Sequence, residues 1–207
     1  MIYAVVNTKG GVGKTTTAVH LATLFATHGS SLLIDGDPQA SAASWAAWRR
    51  DAERSPSPTT TCLSGKAILA EGKTLAEAFT NTVVDAGGRD SVGLRSALLL
   101  AQRAIVPVGA SNLDAAAMTD LMEVIELAKD YNPDLDVRVL LTRIDPRKDT
   151  TEMMAFLEEQ KLRVLKTQVC ERVAYRRAIG EGAIVSELGR DQQAIHEIAA
   201  FFDEVRL

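Results

Sequence analysis

Cysteine is scarce in this chain: two in 207 residues, Cys62 and Cys170, far apart and in no CxxC pair. That argues against a disulfide framework and against a cysteine-built metal site. It also argues against an iron–sulfur carrier, whose cluster needs cysteines brought together. Two reduced thiols of a cytosolic protein are the simpler reading. Positive charge is not in excess either. The formal net charge is −4, so the molecule as a whole is not basic, although a local basic face is still allowed. No apolar run approaches the ~20 residues of a membrane span. The N-terminus, Met1-Ile2-Tyr3-Ala4-Val5-Val6, has no basic leader and no cleavage site, and it reads as a strand rather than a signal peptide. The expected location is the cytoplasm. Internal repeats are lacking, as is any linker long enough to separate a second domain. One α/β domain over residues 1–207 is therefore expected.

What the chain does contain is apolar runs alternating with helical patterns. Ile2 to Val6, Ser31 to Ile34, Thr82 to Val84, Ala104 to Val108, Val137 to Leu141 and Val164 to Val169 read as strands. Thr15 to Thr27, Gln39 to Arg50, Leu94 to Arg103, Leu113 to Lys129, Thr150 to Gln160 and Arg190 to Val205 read as helices. Residues 55–61, Ser-Pro-Ser-Pro-Thr-Thr-Thr, read as a surface loop that feeds a short strand to Leu63. Such alternation predicts a single doubly wound, mostly parallel sheet with helices on both faces. These sheets bind ligands at the carboxyl ends of their strands. A Gly-rich loop, Asp35 and Asp85 all fall at such ends.

The loop reads Asn7-Thr8-Lys9-Gly10-Gly11-Val12-Gly13-Lys14-Thr15-Thr16. Glycines let several backbone N–H groups turn toward one point with no Cβ in the way, and the helix that follows adds its positive end. Lys14 can reach the β- and γ-phosphates of a nucleotide, and the Thr15 hydroxyl can ligate Mg²⁺. The strict GxxxxGK[ST] pattern fails at its first glycine, where Thr8 stands, and a second lysine, Lys9, opens the loop instead. Asp85 follows the apolar Thr82-Val83-Val84, a pattern that sets a carboxylate beside the loop to hold a magnesium-bound water. Asp35 and Asp37 end the second strand. A carboxylate there suits a magnesium shell, while Asp37 in Asp37-Pro38-Gln39 could also simply cap the next helix.

Lys9 to Thr16 together with Asp35-Gly36-Asp37-Pro38-Gln39 resembles the ParA/MinD group of deviant Walker ATPases, and within it the short ParF-like partition proteins. The likeness runs over essentially the whole chain and is most specific in the first forty residues. It implies Mg-ATP bound by Lys9, Gly10, Gly11, Val12, Gly13, Lys14, Thr15 and Thr16, and a homodimer with two nucleotides at its interface, from which higher assemblies could grow. Lys9 matches the signature lysine that reaches the partner's nucleotide, acting on the transferring phosphoryl as an arginine finger does. Asp37 matches the residue that positions or activates the attacking water, so the implied catalytic set is Lys9, Lys14 and Asp37. Asp35 matches a position near the Mg²⁺ shell, beside Thr15 and Asp85, and Ala86-Gly87-Gly88 matches the second switch, free to move with the γ-phosphate. Thr142, Arg143 and Arg172 match positions at the base side of the site, although a surface arginine with an ion-pair partner is an equal reading of the two arginines.

Between Arg138 and Arg177 stand ten Lys/Arg against six Asp/Glu, a local +4 in a chain of −4. That asymmetry suits non-specific DNA binding through phosphates. Arg176 and Arg177 fall where the resembling proteins present basic residues to DNA. The leading expectation is a partition ATPase that associates with the nucleoid when ATP-bound and is stimulated by a ParB-type centromere-binding protein. Because no residues precede the first strand, an N-terminal helix-turn-helix is not expected. The main alternative is a relative that positions a non-DNA cargo, for which every motif would be the same. A MinD-like membrane-bound ATPase is disfavoured. The tail from Arg190 to Leu207 holds four acids and two arginines, and Ile195, Ile198, Phe202 and Val205 fit a helix face packed on the sheet.

Overall fold

The computed structural model describes residues 1–87 and 91–207. In chain order the elements are β1 (Ile2–Val6), α1 (Lys14–Ala26), β2 (Ser31–Asp35), α2 (Ser41–Asp51), β3 (Thr59–Cys62), α3 (Ala67–Ala76), β4 (Asn81–Ala86), α4 (Ser91–Leu100), β5 (Arg103–Val108), α5 (Asn112–Lys129), β6 (Asp136–Ile144), α6 (Thr151–Glu159), β7 (Arg163–Cys170), α7 (Val173–Gly180), α8 (Val185–Leu188) and α9 (Gln192–Arg206). The strands form one seven-stranded sheet in the order β3-β2-β4-β1-β5-β6-β7, every pair parallel.

Both faces of the sheet are covered, which is why its strands read as unbroken apolar runs rather than alternating ones. The period-2 pleat still divides the core. Tyr3, Val5 and Leu33 face a cluster with Trp45, Tyr175 and Phe201, drawn from α2, α7 and α9. Ala4, Val6, Leu32 and Ile34 face Ile68, Leu98, Met118 and Leu157, from α3, α4, α5 and α6. The last helix buries Ala194, Ile198, Phe201, Phe202 and Val205. Its apolar face is thus spent inside the fold, much as its spacing indicated. Among the described residues no helix is long and apolar enough to cross a membrane.

Two local readings are corrected. Arg103, expected at the end of a helix, opens β5 opposite Tyr3. Its side chain is 8% exposed, and its guanidinium pairs with Asp136 at 2.9 Å and donates to the Val205 carbonyl. Those partners lie in other elements, so no local signal could place it. Helix α3 was not anticipated at all; it contains Gly72, whose lack of a side chain lets the helix lie close to Ile34 and Leu100.

Candidate functional site

The site is built where β1 stops. Gly11 and Gly13 adopt φ of +75° and +93°, a region costly for any residue with a Cβ. Gly13 ends the loop as the N-cap of α1, with no side-chain cap and no acid in the helix's first turn. The positive end of α1 and its unpaired N–H groups therefore face the loop unneutralised, which is what an anion site requires. The loop is held from behind. Thr142 Oγ1 donates to the Val12 carbonyl (2.8 Å), Arg143 Nη1 to that of Gly11 (2.7 Å), and Asn7 accepts from the Lys9 amide (2.8 Å) while donating to the Pro107 carbonyl (2.7 Å).

Above the loop lies a cavity of about 590 Å³ lined by Thr8, Gly10, Gly11, Gly13 to Thr16, Asp37, Gln39 and Ser41. Adjoining it, and sharing Gly11, Gly13 and Thr16, is a cleft of about 300 Å³ between β6, β7 and α7. The pair has the proportions of a phosphate seat with a base-sized slot beside it.

Lys14 is 7% exposed, and its Nζ donates to the Lys9 carbonyl at 2.8 Å. Burial lowers its pKa, opposed by the nearby Asp85 and Asp37 carboxylates. Strand register brings these acids together: Asp85 lies opposite Val5 on one side and Asp35 on the other. Asp85 is 1% exposed, and apart from the Thr15 hydroxyl beside it neither of its oxygens has a hydrogen-bond partner among the described residues. Burial pushes its pKa up to about 7, with the Thr15 hydroxyl and Lys14 pulling the other way. An orphaned buried carboxylate beside a threonine hydroxyl is a fitting wall for a hydrated Mg²⁺, which keeps several waters and leans on phosphate oxygens. Among the described residues no three potential ligands form an all-protein metal cage.

This carboxylate has a consequence for the nucleotide-free protein. A carboxyl whose folded pKa is raised supports stability at low pH and withdraws that support as pH rises, here between about pH 4 and pH 7. We expect denaturation midpoints of the apo protein to fall across that window. Asp85→Asn should flatten the fall and stabilise the protein at pH 8 by on the order of a few kcal/mol. Equal slopes for the two proteins in urea titrations would show that Asp85 does not titrate this way.

Asp35 and Asp37 occupy different niches. Asp35 is 2% exposed and accepts the N–H groups of Asp37 (3.1 Å) and Ala43 (2.8 Å), and also that of Ala42. Burial nonetheless raises its pKa. It thus supplies the anion for the first turn of α2, whose N-cap is Ala40 and offers no side chain. Asp37 does not cap α2. Its Oδ1 accepts the Gln39 N–H (2.9 Å), closing a local turn, and the side chain reaches the phosphate cavity. Gly87 lies so close that an added Cβ would run into the Asp37 carboxylate. Gly88 lies outside the described residues.

Lys9 is folded back within its own chain. Its Nζ meets Asp114 Oδ1 at 2.6 Å, and Asp114 belongs to the capping box that starts α5 with Ser111. Burial raises the Asp114 pKa, but Lys9 and Ser111 outweigh it and hold the carboxyl below its ordinary value. A lysine that is to reach a second protomer must first leave this partner.

The arginines of the base side are already paired. Arg143 meets Glu171 at 3.2 Å as well as the Gly11 carbonyl, and Arg172 meets Glu197 at 2.7 Å. Both line the base-side cleft with Thr142. The basic stretch is similarly divided. Arg138 and Arg163 pair with Asp136, and Arg147 with Asp145. Arg176 and Arg177 are exposed on α7, with no ion pair among the described residues. Five of the ten cations thus have an acidic partner, but Arg143, Arg147 and Arg163 stay largely exposed, so only Arg138 and Arg172 are withdrawn from the surface.

A central strand feeding a glycine loop, a lysine at the start of the next helix and an acid ending the neighbouring strand together define a P-loop nucleotide-binding protein. The chain belongs to the CobQ/CobB/MinD/ParA nucleotide binding domain family, whose profile matches residues 3–185. It is 31% identical over 206 residues to "Maintenance of carboxysome distribution protein A" of Halothiobacillus neapolitanus, covering 98% of this chain and 94% of that protein. It is 27% identical over 201 residues to the chromosome partitioning protein ParA of Caulobacter vibrioides, covering 74% and 73% of the two. In fold it matches McdA of Cyanothece. The apo form superposes with a TM-score of 0.79 at 19% identity over 99% of this chain and 98% of that one. An ATP complex of an Asp-to-Ala variant of that protein gives 0.79 at 18% identity over 100% and 96%.

Proposed function

We propose that this chain is a Mg-ATP-dependent switch ATPase that distributes a protein-built cargo, a carboxysome-like body, with nucleoid DNA as its scaffold. The observation that carries the cargo is the full-length likeness to a protein named for carboxysome distribution, 31% identical over 94% of its length. It favours the cargo alternative over the plasmid or chromosome reading that the motifs alone suggested. In this reading Gly10 to Thr16 seat the phosphates, with Lys14 on the β- and γ-oxygens. Thr15 and Asp85 hold Mg²⁺, directly and through water. Asp37 orients the attacking water, and Lys9 leaves Asp114 to act in a dimer. Asp35 acts one step back, by fixing the start of α2 and with it the turn that presents Asp37. The partner is then an adaptor on the cargo that stimulates hydrolysis, rather than a centromere-binding protein. Gene deletion in the host tests the cargo. Clustered or unevenly inherited bodies with normal plasmid retention support it; plasmid loss with normal body spacing returns the reading to DNA partition, as the Caulobacter relative would have it.

The scaffold role rests on Arg176 and Arg177. With both replaced by Ala, ATP hydrolysis should persist while ATP-dependent co-sedimentation with plasmid DNA weakens by about tenfold at low salt. The slope of log affinity against log salt should shrink by about two. Unchanged affinity would move the DNA face away from α7.

A further inference from the structure

The base-side cleft is walled by the end of β7 and the start of α7, and among the described residues β7 is an edge strand, paired only with β6 and in irregular register near Thr142 and Ile144. Nothing in the sheet holds its free side. Two carboxylates from α9 do so: Glu204 accepts the N–H groups of Lys166 (2.7 Å) and Thr167 (3.0 Å) in mid-strand, and Glu197 holds the strand's end. Glu197 Oε2 accepts the Cys170 N–H (3.1 Å) and the Tyr175 hydroxyl (2.8 Å); Oε1 accepts Arg172 Nε (3.0 Å) and Nη2 (2.7 Å). These four bonds span the last residue of β7, the N-cap of α7 and its first turn. The Glu197 side chain is 13% exposed, so they are formed in a poorly solvated place where such networks are stiff. Its helix is itself fixed, with Ala194, Ile198 and Phe201 in the core, and the Ala194 carbonyl also accepts from the Tyr175 hydroxyl. The bonds that brace the phosphate loop come from Thr142, Arg143 and Asn7, and Glu197 makes none of them.

We propose that Glu197 is a positioning residue for the nucleotide base. Without touching the nucleotide, it holds the β7 end, Arg172 and Tyr175 at the separation that admits a purine ring. The inference rests on the nucleotide-binding reading above and adds to it a residue that lies beyond the matched family span, which ends at 185. It divides the site's affinity between a phosphate contribution independent of α9 and a base contribution that depends on it.

The test compares wild type, Glu197→Gln and Glu197→Ala by calorimetry with ATP, ADP and inorganic tripolyphosphate, each with Mg²⁺, alongside thermal melts. For Glu197→Ala, Kd for ATP and ADP should rise about tenfold, while tripolyphosphate, which has no base, should bind within about twofold of wild type. KM should rise by a similar factor with kcat within about twofold. Glu197→Gln, which keeps an acceptor but loses the charge, should fall between, and it carries the same comparison if the alanine variant does not fold. Tripolyphosphate and ATP weakening together, or a lowered melting temperature with no change in ATP affinity, would overturn the proposal, because a purely structural anchor predicts one or the other. Wild type binding ATP no more tightly than tripolyphosphate would also overturn it. Wild type binding neither would instead sink the nucleotide-binding reading on which it stands.

Discussion

Lys14→Ala should bind Mg-ATP at least about a hundredfold more weakly than the unmodified chain, measured with a fluorescent ATP analogue or by calorimetry. Two losses add. A poorly hydrated ammonium on phosphate oxygens is a charge-assisted contact, and in a site this buried it is worth on the order of 3 kcal/mol. The same ammonium now donates to the Lys9 carbonyl across the loop, so its removal also loosens the seat before any ligand arrives. The fold should survive. Burial disfavours the charged lysine, and α1 is anchored by Val19, Leu21, Ala22 and Phe25 rather than by its first residue. Lys14→Gln retains a donor without the charge and should recover only a fraction of the affinity. Tight ATP binding by either variant would remove the loop from the phosphate site.

What was readable in the chain depended on whether the cause was local. Strands buried on both faces announce themselves as apolar runs, so the positions where those runs end in Asp35 and Asp85 could be read directly, and with them the edge where ligands sit. The loop was equally plain, since glycines at left-handed φ and a lysine at a helix start are sequence-local demands. Helix α3 was missed because its glycine and threonine carry little helical signal; it is held by packing on β2 and α4. Arg143 and Arg172 could not be settled from spacing, because Glu171 and Glu197 come to them through the fold. Glu197 itself is one of four acids between Arg190 and Leu207, and nothing local sets it apart. The Lys9–Asp114 pair joins residues more than a hundred apart in sequence and carries no local trace.

The cargo is a different kind of unknown. Fold and phosphate chemistry are shared by proteins of unlike function, so the residues of the cavity mark a nucleotide-binding family and say little about a cargo. Such information belongs to surfaces outside the loop; in this chain Arg138, Arg143, Arg147, Arg163 and Arg172 have acidic partners, which leaves Arg176 and Arg177 of α7, with Lys148, Lys161 and Lys166, as the cations of this stretch without an ion pair among the described residues.

Asp37→Ala should bind Mg-ATP normally, accumulate as an ATP-bound dimer and turn over at least about a hundredfold more slowly. The separation of roles follows from the two neighbouring acids. Asp35 is spent on amide groups of α2, so Asp35→Ala should lower the melting temperature by unsettling that helix. Asp37 caps nothing: one oxygen closes the turn at Gln39, and the side chain faces the cavity beside Gly87. Removing it should leave stability nearly unchanged. Asp37→Asn sharpens the comparison, since the amide oxygen can still accept from the Gln39 N–H while the group no longer serves as a base or anion toward water. If the turn is what matters, Asn will work and Ala will fail. If the carboxylate orients the nucleophile, both will fail in phosphate release while retaining ATP. Phosphate-release assays at saturating Mg-ATP, with light scattering to follow the dimer, decide between these outcomes. Wild-type turnover in both variants would reduce Asp37 to a turn residue and place the water-orienting group elsewhere in the cavity.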